Sequence, residues 1–129
     1  MQYNDEKDYI MRMIKEAVRI LFSLLLGKKY VQVELPEENK YIVSGKKFEE
    51  YRDMIDQGKV NEAENILLEN IDYSNKEKVT AAVYFYQYLN EKGEEFLKQN
   101  NYSQEEVLEG LKALAEKAGY REVFNFIED

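Results

Sequence analysis

The residues that most often carry catalysis are missing from this chain. It has no histidine and no cysteine in 129 residues. Without histidine there is no general base poised near neutral pH, and the commonest transition-metal ligand is gone. Without cysteine there is no thiolate nucleophile, no disulfide framework and no Cys-ligated metal. The serines are Ser23, Ser44, Ser74 and Ser103. Ser74 and Ser103 each precede a glutamate by three residues, which is the pattern of a helix capping box, and Ser44 also suits a cap. Ser23 lies on the polar arc of an amphipathic stretch. None has a histidine to activate it, so nucleophilic catalysis is not expected. The 26 acidic residues supply carboxylates for acid–base chemistry or a hard cation, but none follows a calcium-loop spacing. Solvated helix faces account for them. Ser44-Gly45-Lys46-Lys47 lacks the context of a phosphate loop. The expectation is a non-enzyme with no cofactor and no metal. An enzyme using carboxylate chemistry is the least favoured alternative.

Tyrosine is the residue type that stands out, with 11 copies. Tyr84, Phe85, Tyr86 and Tyr88 crowd one segment, and Tyr51 and Tyr73 are candidates to join them. An amphipathic ring can line a groove that grips a peptide or helix. It can equally fill a core with its hydroxyl at the rim. The other candidate surface is the leucine-rich stretch 10–26. On a helix its polar residues Arg12, Lys15, Glu16, Arg19 and Ser23 share an arc of about 100°. Everything else there is apolar, so the helix must be covered on several sides. The candidate interaction residues are Ile14, Val18, Leu21, Leu25, Tyr51, Tyr84 and Tyr88.

The elements that must position these residues are helical. One proline and six glycines leave long stretches free to form helix. The length suits one domain, residues 1–129. An N-terminal amphipathic helix (1–27) begins after Asn4 or Asp5 and stops at Gly27. Residues 28–43 form an extended loop or a small hairpin turning at Pro36 to Asn39. A helical body (44–129) follows. Its second helix runs from about Gly45 to Gln57 with Phe48, Tyr51 and Ile55 on one face. Gly58 makes a left-handed turn into a third helix carrying Val60, Ala63, Ile66, Leu67 and Ile71. A fourth helix, capped by Ser74 and Glu77, is apolar on two faces and should be central. Gly93 ends or bends it before a short helix at 94–98. Ser103 and Glu106 open a fifth main helix with Val107, Leu108, Leu111, Leu114, Ala115 and Ala118 inward, and Gly119 closes it. Gly110 inside that helix points to close approach of a neighbour. Val123, Phe124, Phe126 and Ile127 form a terminal turn that docks on the body.

Two resemblances arise from these residues. Gly58, Val60, Ala63 and Leu67 occupy positions that resemble the turn and second helix of a tetratricopeptide repeat. The resemblance implies antiparallel helical hairpins in a tetratricopeptide-like stack. Separately, the segment Tyr9 to Glu16, the leucine cluster ending at Gly27-Lys28, and Asp56 to Asn65 resemble a family of short helical proteins from Gram-positive bacteria of the Firmicutes type. That resemblance implies an all-helical bacterial protein and carries no activity with it.

Charge narrows the partners. The net charge is −8, yet residues 12–29 carry +4. An acidic body opposes nucleic-acid backbone binding. Acidic residues precede the apolar stretch where a secretory signal is basic, so a cytoplasmic protein is expected. The leading functional expectation is a protein–protein interaction module with an unidentified protein partner or a second copy of itself. The alternative is a peripheral membrane protein using the basic stripe Arg12, Lys15 and Arg19.

Overall fold

The structure, a computed structural model, describes residues 5–26 and 42–127. The proposed turn at Pro36 to Asn39 lies outside the described residues. Seven helices and one two-stranded ribbon occur among those described. Helix α1 spans Asp5–Leu26. Strands β1 (Ile42–Val43) and β2 (Lys46–Lys47) pair antiparallel, with Ile42 opposite Lys47 and Val43 opposite Lys46. Then come α2 (Phe48–Asp56), α3 (Val60–Glu69), α4 (Lys76–Lys92), α5 (Glu94–Gln99), α6 (Gln104–Lys117) and α7 (Val123–Ile127).

The ribbon corrects the expected start of the second helix. Ser44 and Gly45 both take positive φ, 52° and 82°. That pair of conformations belongs to a type I′ hairpin turn and cannot continue into a helix. The Ser44 hydroxyl is therefore not a cap. It donates to the Leu67 carbonyl at 2.8 Å and ties the turn to the end of α3. Helix α2 starts later, where the Glu50 carboxylate accepts the Lys47 N–H.

The cap of α4 also moves by one residue. The Asp72 carboxylate accepts both the N–H and the hydroxyl of Ser74 in a local turn. Asn75 then caps the helix, its side chain accepting the Lys78 N–H at 3.1 Å. At α6 the expectation holds: Ser103 Oγ accepts the Glu106 N–H. Gly93, at φ 91°, separates α4 from the short α5.

Helix α4 is the central rod. Helices α1, α2, α5 and α6 and strand β1 all pack on it. Every residue from Val79 to Tyr86 is buried, as its two apolar faces require. Helix α1 also reaches α6 and α7. Its inward face is Ile14, Ala17, Val18, Leu21, Phe22 and Leu25, all buried. Aromatic rings join the layers. Phe22 and Phe48 flank Tyr84 with centroids at 4.6 and 5.7 Å. Tyr51 meets Phe85 edge-on at 5.9 Å. Such pairs add about 0.5–1.5 kcal/mol each beyond burial.

Candidate functional site

Six of the seven residues singled out as an interaction surface are core positions. Ile14, Val18, Leu21, Leu25, Tyr51 and Tyr84 are each at most 6% exposed. Their rings and methyls fill the space between α1, α2 and α4. The apolar stripe that a membrane-surface helix needs is therefore enclosed by protein. Tyr51 also uses its hydroxyl inside, donating to the Val43 carbonyl at 2.7 Å. Burial pushes its phenol up to about 12. Tyr88 alone of the seven reaches the surface in part.

Around Tyr88 the structure gathers a charged and aromatic face from α2, α4 and the start of α5. The Tyr88 hydroxyl donates to Asp56 Oδ1 at 2.7 Å. Lys92 Nζ reaches the same oxygen at 2.8 Å. The hydrogen bond from Lys92 holds the Asp56 carboxyl below the usual carboxylate range, with Tyr88 contributing. Burial, and then donation to Asp56, raises the Tyr88 phenol. The Arg52 guanidinium lies 5.5 Å from the Phe48 ring and 6.0 Å from that of Tyr88. Lys92 stands 5.2 Å from the Tyr88 ring and 4.8 Å from Phe96. These are cation–π distances. Sequence reading missed Arg52, Asp56, Lys92 and Phe96, because their common neighbour is set by how α2 crosses α4.

A second polar cluster joins two buried phenols to a part-buried carboxylate. The Tyr86 hydroxyl, fully buried, donates to Glu64 Oε2 at 2.7 Å. The Tyr102 hydroxyl is buried close to the same Glu64 carboxylate. Burial raises both phenols well above their ordinary range, and the Glu64 charge adds to it. Gly110 makes room for Tyr86: a methyl group there would sit 2.5 Å from its Cε1.

A third polar feature is a crevice of about 220 Å³ between α1 and α4, lined by Lys15, Val18, Arg19, Gln87, Asn90 and Glu91. Val18 and Asn90 are each 3% exposed and form its deep part. Asn90 Oδ1 has no hydrogen-bond partner among the described residues. Burial raises the Glu91 carboxyl, and the Lys15 charge acts against that shift. Arg19 pairs with Glu16 along α1.

Among the described residues no group of three or more acidic side chains stands in a metal-holding arrangement. No described helix is long and apolar enough to cross a membrane. What the fold and these surfaces define is a mostly α-helical protein assembled on one buried rod, with its polar chemistry at the edges of that rod. The chain belongs to a family of unknown function, DUF6483, whose model matches residues 4–119. No curated protein and no solved structure matches it.

Proposed function

We propose that the chain is a non-catalytic interaction module that engages a protein partner through the face built around Tyr88. The observation that carries this reading is the convergence of Arg52, Tyr88, Lys92 and Phe96 at a part-exposed surface. Arginine and tyrosine are the residue types in which interface binding energy concentrates. Their side chains are already held by Asp56 and by ring contacts, so little ordering cost remains on binding. Within this reading the α2–α3 hairpin is a single tetratricopeptide-like unit inside a bundle, not a repeated array. Gly58 at φ 86° and buried Val60, Ala63 and Leu67 support that likeness. Contacts of α1 with α6 and α7 argue against a multi-repeat stack, whose units touch only their neighbours.

The test compares affinity capture from native cells by the wild-type chain and by an Arg52→Ala/Tyr88→Ala double variant. Circular dichroism shows first that the variant keeps its helices. A protein captured by the wild type and lost with the variant supports the reading. It must then bind the purified wild type directly, with at least about tenfold loss in the variant. An identical captured set from both would end it.

A further inference from the structure

The face around Tyr88 carries both signs of charge, and their balance selects a partner. Helix α2 sets Glu49, Asp53 and Asp56 along one stripe at helical spacing, beside Arg52. All three are exposed. Glu95, also exposed, adds a fourth carboxylate from the first turn of α5, next to Phe96. Asp56 is committed to Tyr88 and Lys92. Among the described residues Glu49, Asp53 and Glu95 form no ion pair. Arg52 and Lys92 are the cations whose charge acts on Asp56, and both lie on rings of the face itself. The carboxylates therefore outnumber the cations, on a chain of net charge −8.

Lys92 shows how this surface holds a cation. Its ammonium has the Tyr88 and Phe96 rings at 5.2 and 4.8 Å and an Asp56 oxygen at 2.8 Å. Two rings and a carboxylate are the chemistry that grips a lysine or arginine side chain. The stripe of α2 continues the carboxylates outward past Asp56. An acidic partner would meet that stripe at like charge. An uncharged apolar partner would strip water from it and pair nothing.

We propose that the partner of the Tyr88 face is a basic peptide segment, its cationic head groups toward Glu49, Asp53 and Glu95 and its aliphatic stems on the part-exposed rings of Tyr88 and Phe96. This rests on the reading of that face as the interaction surface.

NMR titration of the isotope-labelled full chain tests it with three blocked alanine-based peptides. They carry lysine, glutamine or glutamate at the same helical spacing. The lysine peptide is expected to shift amides of α2 and of the end of α4. The other two are expected to bind at least about tenfold more weakly. The double change Glu49→Gln/Asp53→Asn should weaken the lysine peptide at least about threefold, as loss of two exposed pairs implies. Glu105→Gln/Glu109→Gln makes the same charge change on α6 and should leave the affinity unchanged. Equal loss in both double variants overturns the proposal, since the attraction would then belong to net charge and not to this face. Preference for the glutamate or glutamine peptide overturns it too. If the lysine peptide fails while a captured protein is still lost with Arg52→Ala/Tyr88→Ala, the basic partner is overturned and the face remains an interaction surface.

Discussion

Gly110 faces the Tyr86 ring across the α4–α6 contact, with the ring itself locked between Phe85 and Glu64. Alanine is favoured over glycine in a helix by about 1 kcal/mol. At this position the added methyl would overlap Cε1 and the hydroxyl of a ring that cannot turn away. Gly110→Ala is therefore expected to destabilise by about 1–3 kcal/mol, the usual cost of overpacking. Urea unfolding checks the sign. The same change in a Tyr86→Leu background should cost less, since the obstructing ring is gone. The buried phenols make a second prediction. Tyr51, Tyr86 and Tyr102 all have folded values above the ordinary 10.0. Their contribution is intact below pH 10, where folded and unfolded chains are both protonated. Above it the unfolded chain releases protons that the folded chain keeps. Stability should then fall by about 1.4 kcal/mol per pH unit for each such phenol. In an alkaline titration the tyrosinate absorbance of Tyr86 and Tyr102 should rise only as helical circular dichroism is lost, and the Tyr51 contribution should level off near pH 12.

At the scale of elements, the helix caps separate two serines that look alike in sequence. Ser103 accepts the Glu106 N–H and caps α6, so Ser103→Ala should cost about 1 kcal/mol. Ser74 has the same spacing to a glutamate, yet it is occupied by Asp72, and Asn75 does the capping. Ser74→Ala should stay within about 0.5 kcal/mol of wild type, as most exposed changes do. Asn75→Ala should cost about 1 kcal/mol. Thermal melts of the three variants decide the assignment. Both glutamates follow the same rule of spacing. Only the turn ahead of α4 shows which residue the first helical N–H groups can reach.

Across the whole molecule, α1 is the element that closes the core. It packs on α4, α6 and α7, so its loss exposes three partners together. Leu21, 1% exposed, should not tolerate a carboxylate: Leu21→Glu is expected to unfold the chain, at a cost of several kcal/mol. Leu24 lies on the outer side at 45% exposure, and Leu24→Glu should leave the melting temperature nearly unchanged. Amide hydrogens of α1 should exchange as slowly as those of α4, because opening either exposes the same core. Fast exchange confined to α1 would show it to be an accessory, not a wall.

The helical character, the central place of α4, the Ser103 cap, the breaks at Gly58, Gly93 and Gly119 and the tight spot at Gly110 were all legible along the chain. They depend on contacts within a turn or two, or on a period of about 3.6 residues, and both are written locally. The tyrosines were not legible in that way. A helical wheel shows that Tyr84 and Tyr88 share a side, but not that Phe22 and Phe48 cover one while Asp56 and Lys92 frame the other. The crevice beside Asn90 was equally hidden, since Lys15 and Glu91 come together only when α1 lies along α4. Local patterns specify what each segment is and which way it faces. Which neighbour arrives on that face depends on packing between segments far apart in the chain, and the core settles it as a unit.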